Sequence, residues 1–235
     1  MNRSAIILAS GFSRGFTSDK GILELGGKPL LNHVIDAVEG LVEEVIVVTS
    51  SQEQADSYSK LISNEKVRFA VDVCESKGPL VGALTGFEQA NGEYSALLRF
   101  DNPFISTEVL SLLFDCSIGK AATVPRWTDQ EIEPLHSVYN TKQALQATKE
   151  ALAEDGSDIQ TMVEKLCGVR YISTMVIEQL DPDFKTFFYV NTPLDLRKAA
   201  VMGKPRKTSK TKQIDSRKGN AKRGRSFINK KTNRK

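Results

Sequence analysis

The chain has 235 residues and a formal net charge of +3, enough for one sizeable α/β domain with or without an appendage. The charges are segregated: residues 203–235 hold 14 Lys or Arg against one acid, Asp215, a net of +13, which leaves 18 basic and 28 acidic residues in 1–202, a net of −10. No apolar run reaches the ~18 residues of a membrane-spanning helix, and the first apolar stretch has strand length rather than the length and placement of a signal peptide. Three widely spaced cysteines, Cys74, Cys116 and Cys167, match no metal or paired spacing. A soluble cytoplasmic protein with reduced, buried thiols is expected.

In chain order, Ala5–Ala9 reads as a strand and runs into the small-residue loop Ser10-Gly11-Phe12-Ser13-Arg14-Gly15, with Asp19-Lys20 beyond it. Leu30–Val42 reads as a helix, Glu44–Thr49 as a strand and Gln52–Ile62 as a helix. Val67–Val73 and Tyr94–Phe100 are further strands, separated by a helix over Leu80–Ala90. Such alternation predicts a mostly parallel sheet covered by helices on both faces. Ser106 is placed to cap a helix through Leu113, and Ser157 with Gln160 has the capping-box pattern for a helix ending near Leu166. Ala121–Pro125 and Leu135–Tyr139 read as strands flanking a surface loop, and Thr192-Pro193 opens a last helix to about Ala200. From Gly203 onward only Ile214, Phe227 and Ile228 are large and apolar. A domain over 1–202 and a basic, disordered tail over 203–235 are expected.

The first loop is the strongest chemical signal. Small residues let backbone N–H groups approach a polyphosphate, and the nearby cations complement its charge. Phe16 stands five residues beyond Gly11, so the Walker spacing fails, and no G-x-G-x-x-G is present. Ligands of open α/β sheets bind beyond the carboxyl ends of the strands. Asp72, Gly78-Pro79-Leu80-Val81-Gly82 and Arg99-Phe100-Asp101-Asn102-Pro103-Phe104 follow such ends. A carboxylate there suits Mg²⁺, which needs only one or two.

Seven blocks occur in order: Leu8-Ala9-Ser10-Gly11-x-Ser13, Asp19-Lys20, Gly27-Lys28-Pro29-Leu30, Gly78-Pro79-Leu80, Asp101-x-Pro103-Phe104, Glu133-Pro134-Leu135-His136 and Val190-Asn191-Thr192-Pro193. Over about residues 4–200 they resemble the molybdenum cofactor guanylyltransferase family, within the larger group of nucleotidyltransferases. The resemblance implies a three-layer α/β/α fold with a mostly parallel, Rossmann-like sheet of the nucleotide-diphospho-sugar transferase type. It implies transfer of GMP from Mg-GTP to the phosphate of molybdopterin, with release of pyrophosphate. Leu8, Ala9, Ser10 and Gly11 would hold the nucleotide, Lys20 its phosphates, Asp72 would sit beside it and Asp101 would bind Mg²⁺. Asn191 would lie on the pterin side. The chain departs from the family where Ser10-Gly11 replaces Gly-Gly, where Gly15-Phe16-Thr17 stands for Arg-Met-Gly, and where Tyr189 replaces a common Asn. The nearest guanidinium, Arg14, lies one position early and joins Lys20 and Asp101 as a candidate catalytic group.

Plainer roles stand beside these. Asp101 and Asp72 are also suited to turns, Lys20 to a solvated surface, and Gly78 and Gly82 to turn geometry and close helix packing. His136 suits a hydrogen-bonded structural role or a substrate contact rather than metal ligation. Trp127 suits partner contact or simple partial burial. Other functions compatible with the residues are a guanylyl- or cytidylyltransferase with a different small phosphorylated acceptor, or a catalytically weak carrier serving a molybdoenzyme or its chaperone. The tail suits a flexible accessory role or nonspecific binding of acidic partners and nucleic acid. No membrane partner is expected.

Overall fold

The structure is a computed structural model that describes residues 2–9, 16, 19–72 and 78–203. Strand β1 (Arg3–Leu8) leads to a 3-10 turn at Lys20–Ile22 and a two-residue hairpin, β2 (Glu24–Leu25) with β3 (Lys28–Pro29). There follow α1 (Leu30–Val38), β4 (Glu44–Thr49), α2 (Gln52–Ser59), β5 (Val67–Val71), α3 (Pro79–Gln89) and β6 (Tyr94–Arg99). The second half comprises α4 (Thr107–Ser117), β7 (Ala122–Arg126), β8 (His136–Asn140), α5 (Thr141–Ala153) and α6 (Ile159–Lys165). It closes with β9 (Val169–Ser173), α7 (Thr174–Ile177), a 3-10 turn at Lys185–Phe187 and α8 (Pro193–Met202).

The main sheet has seven strands in the order β5-β4-β1-β6-β8-β7-β9. Strands β4 and β6 pair in parallel with β1, β5 with β4 and β9 with β7, while β8 runs antiparallel between β6 and β7. The mostly parallel, doubly covered sheet expected from the sequence is present. Its central strands are apolar on both faces because both faces are buried. Ala5, Ile7, Val45, Val47, Ala96 and Leu98 pack with α1 and α4. The alternate residues Ile6, Leu8, Ile46, Val48 and Leu97 pack with α3, α5 and α6. A third, smaller cluster joins Leu25 and Leu30 of the hairpin region to Val190 and to Ala199 of α8.

Several boundaries differ from expectation. Helix α1 stops at Val38 and α2 at Ser59, short of Val42 and Ile62. The cap of α6 is Asp158, whose side chain accepts from the Thr161 amide, rather than Ser157. Cys116 is half-buried and Cys167, in the loop before β9, is exposed, so neither is the buried thiol expected; Cys74 lies outside the described residues. Gly78 needs to be glycine on two counts. Its φ is +75°, and a Cβ there would stand 2.6 Å from the Ser157 carbonyl oxygen. No helix among the described residues is long and apolar enough to cross a membrane. The expected tail, 204–235, lies outside the described residues.

Candidate active site

Strand order reverses between β1 and β6, and the carboxyl ends of both strands face the same edge. Ligands of open α/β folds sit at such a switch point. Two residues beyond β6, Asp101 is 1% exposed and yet charged. Lys20 Nζ donates to its Oδ2 at 2.5 Å, and Lys20 is itself only 6% exposed. Arg99 donates to the same carboxylate through two nitrogens, Nε to Oδ1 at 2.9 Å and Nη2 to Oδ2 at 2.7 Å. Burial alone would raise the Asp101 carboxyl. The hydrogen bonds and charge of Arg99, followed by those of Lys20, outweigh it and hold the group below the usual carboxylate range. Asp101 is therefore ionised at neutral pH.

Each partner is positioned from a different part of the chain. Asp19 fixes the Lys20 turn by accepting from the Gly21 amide at 2.8 Å, from Tyr58 Oη at 2.6 Å and from Gln54 Nε2 at 2.8 Å. Tyr58 packs so closely over that turn that a Cβ on Gly21 would lie 2.3 Å from its hydroxyl. On the other side, the Val190 amide donates to the Asp101 carbonyl at 2.9 Å, which brings the following residue, Asn191, to the site. Arg99 Nη2 also donates to Asn191 Oδ1 at 2.9 Å. The guanidinium lies 4.5 Å above the Tyr189 ring centroid. Glu133, in turn, accepts from Tyr189 Oη at 3.1 Å and from Trp127 Nε1 at 2.9 Å.

The structure thus brings Lys20, Asp101 and Asn191 together, as the sequence suggested. Leu8 and Ala9 stand at the end of β1, with much of their backbone already committed. The Leu8 carbonyl accepts from Phe100, the Ala9 amide donates to Val48, and the Ala9 carbonyl accepts from Gln54. Asp72 follows β5 at the same edge of the sheet, two strands from β1, with its amide bonded to the Thr49 carbonyl. Ser10, Gly11 and Arg14 lie outside the described residues.

His136 does not reach the cleft. It is wholly buried, with Nε2 3.0 Å from Thr186 Oγ1 and its ring edge-on to Phe187, so substrate contact is replaced by a structural role. Burial pushes it down to about 3, which keeps it neutral. Trp127 is half-buried against Phe184 and Phe187.

Three residues of the site escaped the sequence reading as functional groups: Arg99, Tyr189 and Glu133. A signal for the first existed. Residues two apart on an extended strand share a side, so Arg99-x-Asp101 was spaced for a contact.

The donor set fits a hard divalent cation. Asp101 supplies an ionised carboxylate, the hard oxygen donor that such a cation prefers. Among the described residues there is no cluster of three or more His, Cys, Asp or Glu. The arrangement can bind phosphates through two cations and hold a metal through one carboxylate.

Fold and edge chemistry together define an open α/β protein built to receive an anionic ligand at its switch point. A family model described as the MobA-like NTP transferase domain matches residues 5–169, and the chain belongs to that family. A Methanosarcina acetivorans protein named "Probable molybdenum cofactor guanylyltransferase" is 33% identical over 210 residues, covering 86% of this chain and 93% of the relative. A Pyrococcus horikoshii protein of the same name is 31% identical, covering 83% of this chain and 98% of its own length. Among solved structures, the molybdopterin-guanine dinucleotide biosynthesis protein A of Archaeoglobus fulgidus superposes with a TM-score of 0.71 at 24% identity, covering 85% of this chain and 97% of its own. The 4-diphosphocytidyl-2C-methyl-D-erythritol synthase of Anaerococcus prevotii gives 0.67 at 16% identity, covering 86% and 95%. Both show the shared fold.

Proposed function

We propose that this nucleotidyltransferase moves the guanylyl group of GTP onto the phosphate of molybdopterin, yielding the guanine dinucleotide form of the cofactor and pyrophosphate. The observation that carries this reading is a buried carboxylate shared by two cations at the switch point of a sheet whose relatives bear that name. The acceptor is a phosphate monoester with a second pKa of about 6, so it is mostly a dianion at neutral pH and needs no strong general base. One of its oxygens supplies the electron pair for the new bond to the α-phosphorus. The bond from that phosphorus to the β-phosphate bridge breaks, and its pair leaves on pyrophosphate.

The chain's residues act by position and charge. Lys20, fixed by the Asp19 turn, pairs with the phosphates of the nucleotide. Asp101 would hold Mg²⁺ through its carboxylate, beside the ion pairs it keeps with Lys20 and Arg99. That ion, when bound, supplies charge neutralisation across the triphosphate. We place the enzyme in the cytoplasm, passing its product to a molybdoenzyme or the chaperone of one.

The test is pyrophosphate release on incubation with Mg²⁺, molybdopterin and each nucleoside triphosphate in turn. Release with GTP alone is expected. Release with CTP alone would overturn the base, and tight GTP binding without release would convert the enzyme into a carrier.

A further inference from the structure

Arg99 is better prepared for a ligand than for a purely internal role. Three hydrogen bonds, two to Asp101 and one to Asn191, hold its guanidinium flat over Tyr189. They use Nε and Nη2 only. The remaining amino group, Nη1, makes no hydrogen bond among the described residues, and about a third of the side chain (32%) is open. The supports continue outward, since Tyr189 is anchored through Glu133 to Trp127. A planar cation fixed on one edge and underneath, with an amino group unbonded among the described residues and a third of the side chain open, is a rigid fork for an oxyanion. Its charged state is secure, because the attraction of Asp101 exceeds the penalty of burial.

Resting on the function proposed above, we propose that Arg99 is the group that binds the phosphate monoester of the acceptor. Two anionic phosphates must meet for the transfer to occur, so the attacking dianion needs a cation separate from the one serving the leaving group. Among the described residues the site has two cations, which meet on Asp101 Oδ2 but reach it from different sides of the chain. Lys20 arrives from the segment after β1 and stands against Asp19's turn and Phe100. Arg99 arrives from the end of β6 and stands against Tyr189 and Asn191, just before α8. Arg99 therefore orients the acceptor oxygen toward the α-phosphorus, while Lys20 faces the nucleotide. The bond made and the bond broken remain those given above, with no proton transferred to or from Arg99.

The decisive variant is Arg99→Lys, which keeps the charge on Asp101 and removes the fork. Losing one or two charged hydrogen bonds in the bound state corresponds to a rise of about 10- to 100-fold in KM for molybdopterin. KM for GTP is expected to stay near the wild-type value. A shift in the GTP KM with that for molybdopterin unchanged would overturn the assignment, as would no shift in either. A second measurement does not depend on turnover: titration of inorganic phosphate into protein saturated with a non-hydrolysable GTP analogue. Wild type should bind phosphate more tightly than Arg99→Lys by a similar factor, and equal affinities would overturn the proposal. If wild type binds GTP without turning over molybdopterin, the proposed reaction falls, while the phosphate titration still decides the role of Arg99. Thermal unfolding of the variant checks that the fold is retained.

Discussion

Asp101 and Asn102 are neighbours in the chain and equally buried, each 1% exposed, but they serve different networks. Asp101 turns to the cleft edge and shares its two oxygens among Lys20 and Arg99. Asn102 turns inward: its Nδ2 donates to the Thr186 carbonyl at 2.5 Å, and its Oδ1 accepts weakly from the Phe104 amide at 3.4 Å. Thr186 extends that inner network, with its hydroxyl accepting from the Ser106 amide and lying beside His136. The outer group is charged, and its partners are two cations that could also pair with substrate phosphates. The inner group is neutral, and each of its bonds closes a segment of backbone. Burial alone thus does not separate a reactive group from a structural one. The exchangeability of its partners does.

The largest predicted effect comes from Asp101→Asn. Turnover should fall by at least about 100-fold, the scale of removing one preorganised electrostatic group from an active site, as read by pyrophosphate release. The buried Lys20 would lose its counter-charge, so stability should also fall, by about 3–5 kcal/mol in denaturant unfolding. Full activity in this variant would erase the distinction between the two neighbours. Asn102→Ala should cost about 1–3 kcal/mol, since the Thr186 carbonyl is left unpaired in the interior. Its kcat, measured on the folded fraction, should stay near wild type. A lost kcat with unchanged stability would put Asn102 in the site.

An effect of similar size belongs to His136 and is resolved by pH. Its folded value, pushed down to about 3, lies below the ordinary 6.5 of an unfolded histidine, so the unfolded chain binds the extra proton first. The neutral form's stability contribution is therefore complete above pH 6.5 and is eroded as pH falls toward 3. The slope approaches about 1.4 kcal/mol per pH unit. Between pH 6.5 and 4.5 this should stand apart from Glu44, whose carboxyl is held near 2 and matters only at lower pH. His136→Gln should flatten the unfolding curve in that window, and an unchanged slope would remove the histidine from the account.

What could be read from the sequence follows from how much apolar surface each element shows. Strands β1, β4 and β6 were legible because both their faces are buried, giving runs such as Ala5-Ile6-Ile7-Leu8. Strand β9 went unrecognised: it lies at the sheet edge and breaks alternation, with exposed Arg170 and Tyr171 side by side between half-buried Val169 and Ile172. Helix α5 was missed for another reason. Its buried stripe is Ala144, Ala147, Thr148 and Ala151, small residues that make a thin contact and a weak periodic signal. In the site, Lys20, Asp101 and Asn191 stood in recognisable blocks. Arg99 passed as the last residue of a strand, and the role of Glu133 depends on a partner 56 positions away.

The single reversed strand has a further consequence. Because β8 runs against its neighbours, the end of β7 and the start of β8 open on the same rim as Asp101. The connection over 127–135 therefore lies along that rim and carries Glu133 to it, while Ile132 and Leu135 pack against the core beneath. Its exposed tip, 128–131, lies outside every strand pairing of the sheet, so a change of length there leaves the register of the strands intact.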